Sequence, residues 1–456
     1  MCELSSYNII IFSGLWTLIK KLSKKCRDAD GVIKVDVGPI KSYLLSDPED
    51  CTTALNACNH KHYAYSFAKA WLGSGLLIAP VATWKVHRKL LNPIINQQVL
   101  NKFLGVFNRQ SRTLMATFDM EVGKGPFNHD RHLLVSSLET ICQTALGVDV
   151  GDKSAGNKEY LNAIDELLSI FVQRFTKLWL HNKYAFNMSN LKKQQDELIK
   201  LIHNMSDSIL QARKAKLAAE INTGNSDADK PSKFTPFMDL ILKLSTEKFP
   251  LSDSDILDEV NTLIITGYDT VGVTLCYTLM LLGSYPEVQE RVYQEIQEVF
   301  GNSDRDVEKQ DLSKLVYMEA VIKEGLRVLP TIPIVARYTT VDIQLKKYVI
   351  PAGSTFIVLI PGIHSDPAWG DEVDQFKPDR WLNPTTHPEN VNIFGVFGIG
   401  RRSCIGKNYA MMSMKTTLAH LLRRYKISSD ISKLVLKMEI LLKPSSGQHI
   451  SLEKRI

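Results

Sequence analysis

The sequence predicts a mainly α-helical protein with a minor antiparallel β part. Long apolar stretches bounded by helix-capping and helix-stopping residues occupy most of the chain. Alternating Val, Ile, Tyr and Thr residues occur mainly near residue 350 and within the last thirty residues. With 44% hydrophobic and 23% charged residues, the 456-residue chain can bury a large core. No composition typical of a linker divides the chain into domains.

The N-terminal region contains an apolar stretch, Asn8 to Ile19, followed by five basic residues: Lys20, Lys21, Lys24, Lys25 and Arg27. An apolar stretch with basic residues behind it is typical of a membrane anchor. A bilayer span needs about 20 apolar residues, so this stretch is too short to cross a membrane. It also has no cleavage site of the secretory type. Two interpretations remain: an ordinary first helix, or a helix in peripheral contact with a membrane.

The longest predicted helix begins around Leu251–Asp255, where Ser and Asp side chains can cap free backbone amides. It continues to Tyr285, because Pro286 cannot extend it. About 30 residues at 1.5 Å each would span about 45 Å, enough to cross a whole domain. A helix that is apolar on all sides belongs in a core. Further helices are predicted at Pro286–Phe300, about Leu312–Val328 and about Ile405–Arg424.

The region from Ala336 to Ile360, with a turn at Pro351-Ala352-Gly353, predicts a small antiparallel sheet. The stretch from Pro361 to Gly400 is rich in Pro, Gly, Asp and Asn and predicts a long irregular loop, a feature that usually has a function. A flexible loop is predicted over Ile221 to Ser232. Short strands are expected in the last thirty residues.

The formal net charge is +6, which suits a membrane surface or an acidic protein partner. The chain has no dense Lys/Arg stripe with interleaved aromatic residues, so we exclude nucleic-acid binding. Its seven cysteines are odd in number and irregularly spaced, which argues against a disulfide framework and for a reducing compartment. Six of them are expected to be small buried hydrophobic residues.

The seventh cysteine, Cys404, lies in the glycine-rich segment from Phe397 to Gly406, directly before a predicted helix. The free amides and positive end of that helix favour a thiolate over a thiol. Gly400 and Gly406 remove side chains where the backbone could approach a large flat group. A single thiolate with no second ligand at suitable spacing does not suit zinc. It suits haem, whose porphyrin fills the equatorial positions of the iron.

This segment resembles the haem-binding loop F-x-x-G-x-R-x-C-x-G of the cytochromes P-450, at Phe397, Gly400, Arg402, Cys404 and Gly406. The resemblance implies the cytochrome P-450 fold, haem b as cofactor and Cys404 as the sulfur ligand of the iron. It covers about residues 35 to 456, which we therefore expect to form a single haem-thiolate monooxygenase domain. Residues 1–34 would be a short N-terminal segment from which the family's usual anchor is missing.

Two further motifs of the family concern charged side chains. Glu324 and Arg327 lie at i and i+3 on a helix and resemble the E-x-x-R motif, with Arg380 as the third member. The resemblance implies that these three form the ion network that holds the haem loop. Trp84 and Arg88 lie on one helical face and resemble the W-x-x-x-R motif, whose members contact a haem propionate. Arg402 is expected to do the same, since a guanidinium holds carboxylates bidentately.

The segment from Thr266 to Thr270, TGYDT, is similar to the family's oxygen-binding motif. By this resemblance Thr270 would hydrogen-bond bound oxygen and Asp269 would help deliver protons. A glycine within the helix loosens packing, and a Thr hydroxyl can bond the i−4 carbonyl and bend the helix. Together they would open a groove above the iron. Many related enzymes have Glu at the position of Thr266, where it can form an ester to haem, so we predict non-covalent haem here.

Within the family the chain looks closest to the family 4-like microsomal enzymes of animals, particularly insects. This likeness implies a monooxygenase that takes electrons from NADPH through a flavoprotein reductase, with cytochrome b5 as an optional second donor. The substrate would be an apolar small molecule: a fatty acid or other lipid, a hormone or a foreign compound. We expect a monomer at the cytoplasmic face of the endoplasmic reticulum membrane. The likeness rests on Gly75-Leu-Leu, Asp258-Glu-Val and Tyr409-Ala-Met-Met-Ser-Met-Lys.

The expected pocket walls are Trp71–Pro80, Phe171–Trp179 and the long helix, all of apolar character. Two other functions remain open. One is a haem-thiolate isomerase or dehydratase, against which the intact Asp269-Thr270 pair argues, because such enzymes need less proton delivery. The other is a non-catalytic haem- or ligand-binding paralogue. NADPH consumption that depends on a reductase separates the monooxygenase from both.

Overall fold

The computed structural model describes residues 3–37, 40–148, 156–222, 234–247, 250–383 and 393–455, and side chains of the first helix from residue 14. The predicted flexible loop at 221–232 lies, from residue 223 onwards, outside the described residues. The helices are α1 (Glu3–Asp28), α2 (Pro48–Ala57), α3 (Lys69–Leu72), α4 (Val81–Leu91), α5 (Gln97–Asn101), α6 (Leu104–Asp119), α7 (Asp130–Leu146), α8 (Gly156–Thr176), α9 (Lys183–Asn187), α10 (Asn190–Asn222), α11 (Phe237–Glu247), α12 (Asp253–Ser284), α13 (Pro286–Phe300), α14 (Lys309–Lys314), α15 (Val316–Val328), α16 (Ile360–His364) and α17 (Lys407–Arg424).

The strands are β1 (Val32–Val37), β2 (Ile40–Leu45), β3 (Phe127–Asn128), β4 (Ile334–Tyr338), β5 (Ile343–Gln344), β6 (Val349–Ile350), β7 (Thr355–Leu359), β8 (Tyr425–Ser429), β9 (Val435–Met438), β10 (Leu442–Ser446) and β11 (His449–Lys454). The predicted class, mainly α with a minor β part, is confirmed.

Helix α12 is the central helix of the protein and agrees with its prediction. Ser252 and Asp255 form a reciprocal capping box at its start, and Pro286 begins α13 directly after Tyr285 at its end. Of the described helices, α12 alone has the length and apolarity of a membrane span, and 83% of its most apolar window is buried inside the protein. It is therefore a core helix. Helix α7 packs closely along it, since a Cβ at Gly272 would lie 2.9 Å from Leu134 Cδ2.

The helix predicted over Leu312–Val328 is wrong in one respect, because it is two helices, α14 and α15, separated at the buried Leu315. The first free amides of α15, at Tyr317 and Met318, donate hydrogen bonds to the carboxylate of Glu295 on α13. A side chain from another helix thus caps α15, and spacing along the sequence does not reveal it.

The antiparallel sheet predicted over Ala336–Ile360 is confirmed by the pairs β4-β7 and β5-β6, and a parallel pairing with β2 extends it. Strand β7 pairs antiparallel with β4 and parallel with β2, in a four-stranded sheet of order β1-β2-β7-β4. Strands β1 and β2, an antiparallel hairpin, were not predicted. Strands β5 and β6 form a separate pair, and the C-terminal strands form the sheet β3-β11-β8 and the hairpin β9-β10. The predicted short strands near the C-terminus are confirmed.

Helix α1 packs on the body of the protein. Trp16 and Ile19, at the end of the predicted apolar stretch, are buried against Met438 and Leu442 of the β9-β10 hairpin. Residue 35, where we place the start of the domain, lies within β1. The described cysteines are all unpaired, and all of them except Cys404 are buried, as predicted.

Candidate active site

The loop before α17 holds Cys404 by its backbone. The N–H of Cys404 donates to the carbonyl of Phe397 at 2.7 Å, which closes the loop. Gly400 has φ of +78°, and a Cβ there would lie 2.8 Å from Asn56 Oδ1 and 3.2 Å from Leu55 O. The glycine is therefore required by the close approach of α2, and its role beside a large flat group stays a prediction. The side chain of Cys404 is exposed.

The surroundings of Cys404 act on the pKa of its thiol in opposite directions. Crowding by protein atoms raises the pKa of its thiol, and the N–H of Gly406, Arg88 and Lys407 oppose this effect only in part. The Gly406 N–H, Arg88 and Lys407 thus act in the direction that the sequence predicts for a thiolate, and the thiolate itself stays a prediction. A coordinated metal cation would deprotonate the thiol outright.

Helix α4 lies against this loop through two of the predicted residues. The guanidinium of Arg402 lies over the ring of Trp84 at 4.6 Å and donates to Ala79 O at 2.8 Å. Arg88 Nη1 donates to Ser403 O at 2.8 Å. The structure therefore brings the W-x-x-x-R pair and the haem-loop arginine together, as the resemblance implied.

Next to Arg402 lie two cations that the sequence analysis missed. Arg337, on β4, is buried, and the backbone of Lys61 pairs with that of Arg337 in an isolated antiparallel β-bridge. Two nitrogens of Arg402, Nε and Nη1, and Nε of Arg337 are buried without a hydrogen-bond partner. Among the described residues, no ion pair includes Arg402, Arg337 or Lys61. Burial, and then Arg337, lower the pKa of Arg402 to about 10. Burial, with both arginines, lowers the pKa of Lys61 well below its ordinary value.

Arg402 and Arg337 are neighbouring cations with free donors and no carboxylate partner among the described residues, which fits a group that carries more than one carboxylate. The propionates of haem meet this description, so the residues present fit the cofactor that Cys404 implies. A sequence signal for Arg337 did exist: it is a charged residue within the apolar alternation of Ile334–Tyr338.

The network of Glu324, Arg327 and Arg380 forms as the motif predicted. Both oxygens of Glu324 accept from Arg327 at 2.8 Å, and Arg380 Nε donates to Oε1 at 2.8 Å. Trp381 Nε1 and the N–H of Lys377 also donate to this carboxylate, at 2.9 and 3.0 Å. All three charged side chains of the motif are buried. They join α15 to the segment that precedes the Cys404 loop.

A buried histidine connects this network to the loop. His364 Nδ1 lies 3.0 Å from Arg327 O, and its Nε2 accepts from the N–H of Gly395 at 3.2 Å. Its ring stacks on Phe394 with centroids 5.5 Å apart, and Phe394 meets Phe397 edge to face at 6.2 Å. The sequence analysis did not identify His364, because its partners are distant in sequence.

The oxygen motif lies on an unbroken part of α12. Thr270 Oγ1 donates to Thr266 O at 2.7 Å, the predicted i−4 bond. The helix is continuous there. A Cβ at Gly267 would lie 2.8 Å from Ile141 Cδ1, so this glycine allows α7 to pack closely. The expectation that this glycine loosens local packing is wrong, and the groove above the iron stays a prediction.

Asp269 is buried and ion-paired with Lys443 of β10, with Oδ2 2.8 Å from Nζ. Its Oδ1 has no hydrogen-bond partner among the described residues. Burial raises the pKa of Asp269, and Lys443 opposes this rise. No hydrogen bond or ion pair within the described ranges joins Asp269 or Thr270 to the Cys404 loop. The walls predicted for the pocket do meet, since Trp71 stacks on Phe171 at 5.9 Å.

Comparisons with known proteins agree with these motifs. The family model for cytochrome P450 matches residues 8–451. The chain is 32% identical to cytochrome P450 4V2 of Mus musculus over 432 residues, which are 93% of this chain and 82% of that protein. It is 31% identical to cytochrome P450 4c3 of Drosophila melanogaster over 439 residues, with the same shares of the two chains. It is 33% identical to cytochrome P450 4c21 of Blattella germanica over 368 residues, 80% of this chain and 74% of that protein.

Proposed function

The chain belongs to the cytochrome P450 family and is a haem-dependent monooxygenase, and from this premise we propose that Cys404 would supply the thiolate that holds a non-covalently bound haem b. The observation that carries the assignment is the position of Cys404, an exposed thiol beside a set of cations with free donors. Phe397, Gly400 and Gly406 shape the loop. Thr266, a hydroxyl residue, cannot form an ester bond as a glutamate can.

The cations around the loop would hold the carboxylates of haem. Arg402 has two free nitrogens, and Arg337 has one. Trp84 supports Arg402 through its ring, and Arg88 is fixed by the carbonyl of Ser403. When bound, haem supplies the oxygen chemistry, and a thiolate ligand favours cleavage of the O–O bond.

Asp269 and Thr270 of α12 would deliver protons. The Thr270 hydroxyl, which now donates to Thr266 O, can instead donate to an oxygen ligand. Asp269 has one oxygen bound to Lys443 and one without a partner, so Oδ1 can hold a proton or a water molecule. The raised pKa of this buried carboxyl favours its protonated form, which suits a group that takes up and releases protons.

The electron donor that we propose is an NADPH-dependent flavoprotein reductase, with cytochrome b5 as an alternative donor. Exposed basic residues surround the Cys404 loop: Lys85, Lys89, Arg401 and Lys407. A cavity of about 490 Å³ opens beside Phe397, lined also by Met411, Lys309, Lys323 and Glu319, the last two of which are ion-paired. Because basic residues outnumber acidic ones around this cavity, the surface suits an acidic protein partner. Lys407→Glu should slow reductase-dependent reduction, whereas Lys433→Glu, at an exposed lysine of another surface, should not.

We propose an apolar substrate, of the fatty acid or lipid class, and contact of the monomeric protein with the endoplasmic reticulum membrane. Large apolar side chains between α8 and α10 are unusually exposed: Leu178 (62%), Trp179 (67%), Tyr184 (79%) and Met188 (89%). Lys177 and Lys183 flank them. Aromatic residues beside lysines are typical of the membrane interface. Trp179→Ser should weaken sedimentation with anionic phospholipid vesicles, and Met120→Ser, also exposed, should not.

The experiment that tests the proposed function is the spectrum of the dithionite-reduced protein under carbon monoxide. Wild type should show the strongly red-shifted Soret band of a thiolate ligand, and Cys404→Ala should not. Cys276→Ala, which changes a buried cysteine of α12, should keep the band. A band typical of histidine ligation, or no haem, would contradict the assignment. NADPH consumption with a reductase then separates a monooxygenase from an isomerase, a dehydratase or a non-catalytic paralogue.

A further inference from the structure

The segment of residues 73–79, here called the bridging loop, connects the Cys404 loop to α12. At one end, Ala79 O accepts a hydrogen bond of 2.8 Å from Arg402 Nη2. At the other end, the N–H of Ser74 donates to Asp258 Oδ2 at 2.7 Å. Asp258 lies in the first two turns of α12. The bridging loop thus reaches from the cation cluster to the helix that carries Thr270.

The backbone of the bridging loop lies directly on α12. A Cβ at Gly75 would lie 2.1 Å from Thr262 Oγ1 and 2.6 Å from Asp258 O. Gly73 has φ of +49°, and a Cβ there would overlap the Asp258 carboxylate. There is no space for a side chain at either position, so the glycines permit one close contact, and the carboxylates fix it.

A buried pair of charged groups joins α4 to the same place. His87 Nδ1 lies 2.6 Å from Glu259 Oε1, and the two residues are 6% and 1% exposed. Glu259 Oε2 also accepts from the N–H of Leu76 in the bridging loop at 3.2 Å. His87 and Arg88 are neighbours on α4. His87 contacts α12 and Arg88 contacts the Cys404 loop, so one turn of α4 touches both. The hydrogen bond to Glu259 raises the pKa of His87.

We propose that His87, Asp258 and Glu259 are positioning residues that hold α4 and the bridging loop on α12, and thereby place the cations for the carboxylates of haem. This inference rests on the proposed function, which assigns those cations to haem. Arg402 is the connecting residue, since one of its nitrogens is bound to the bridging loop and two are free. Groups that orient direct ligands typically change affinity by about 10- to 100-fold when removed.

The test uses the double variant His87→Leu/Glu259→Met, which replaces the buried pair by apolar groups of similar size. Such replacements are often neutral for stability, so the fold should be kept. The amide of Leu76, which loses its acceptor, should exchange with deuterium faster than in wild type. Haem transfer from the ferric protein to excess apomyoglobin should be about tenfold faster. Glu259→Gln, which keeps an oxygen acceptor, should lie close to wild type in both measurements.

The matched control is His420→Leu, which removes a buried histidine bound to Asn108 on α6. It should leave the exchange of the Leu76 amide and the rate of haem transfer unchanged. Wild-type haem transfer in the double variant would overturn the proposal. With faster exchange of the Leu76 amide it would assign the pair a purely structural role, and with wild-type exchange it would assign the pair no role in holding the bridging loop. Exchange of the Leu76 amide in the haem-free protein tests, independently of haem binding, whether Glu259 holds the bridging loop on α12. Failure of the carbon monoxide spectrum would contradict only the Cys404 assignment.

Discussion

Glu324 and Arg327 form two hydrogen bonds of 2.8 Å in a site where both side chains are buried. The same carboxylate accepts a third bond from Arg380, so one negative charge compensates two buried guanidinium groups. The remaining donors of Arg327 go to the carbonyls of His364, Val373 and Gln375. Every partner lies on the segment that leads to the Cys404 loop, and the network therefore anchors that segment to α15.

Glu324→Gln should destabilise the protein and reduce its haem content. The change leaves two buried cations without a negative partner, and breaking a buried ion pair in this way costs about 3–5 kcal/mol. The midpoint of thermal unfolding and the haem bound per chain measure the effect. Asp430→Asn, at an exposed ion pair with Lys433, is the control and should leave stability close to that of wild type. Equal results for the two variants would contradict the anchoring role.

Arg402→Met should stabilise the haem-free protein and weaken haem binding. Two nitrogens of Arg402 are buried without partners, so removing the cation relieves an uncompensated charge when haem is absent. With haem bound, the same change removes a carboxylate partner and should speed haem loss by about 10- to 100-fold. The thermal unfolding temperature of the apoprotein should rise, and the rate of haem transfer to apomyoglobin should increase. Arg401→Met, at the exposed neighbour, is the control; changes of opposite sign in the two measurements would contradict the prediction.

Local signals in the sequence predicted local structure well. The capping box at Ser252 and the stop at Pro286 fixed the bounds of α12, and the spacing around Cys404 identified the loop. Glu324 and Arg327 are three residues apart, so their contact could be predicted from helix geometry. Features that depend on one chain segment meeting another could be predicted only through the family resemblance.

The missed features share a physical cause. His364, Arg337 and Lys61 receive their partners from segments far away in sequence, and no periodicity encodes such contacts. The break between α14 and α15 is capped by Glu295 of another helix. Gly267 illustrates the opposite error, since a residue known to weaken an isolated helix is here required for packing against α7.

Two buried histidines should make the protein less stable as the pH falls below neutral. Burial lowers the pKa of His364 to about 3 and that of His420 to about 4. An unfolded chain protonates its histidines near 6.5. From about pH 6.5 to pH 4 the unfolded state therefore binds protons that the folded state does not. Stability decreases with falling pH, by up to about 1.4 kcal/mol per pH unit for each histidine.

His420→Gln tests how much His420 contributes to the pH dependence of stability. The His420 ring is neutral in the folded protein, because Nε2 donates to Asn108 Oδ1 at 2.8 Å and Nδ1 accepts from Arg423 at 3.0 Å. An amide can replace both bonds without titrating. The midpoint of thermal unfolding should decrease less between pH 7 and pH 5 in the variant than in wild type. His449→Gln, at an exposed histidine, is the matched control. An equal loss in His420→Gln and wild type would show that His420 does not contribute.

Lys443→Met should destabilise the protein by leaving Asp269 buried without its cation. Removing one partner of a buried pair costs about 3–5 kcal/mol, and the pKa of the remaining carboxyl rises further as the group avoids its charge. Adding Asp269→Asn should recover part of the lost stability, since the uncompensated charge is then absent. Thermal unfolding of wild type, the two single variants and the double variant measures this coupling. Lys437→Met, which breaks a more exposed pair with Glu439 in the same hairpin, is the control, and additive effects at 269 and 443 would contradict the coupling.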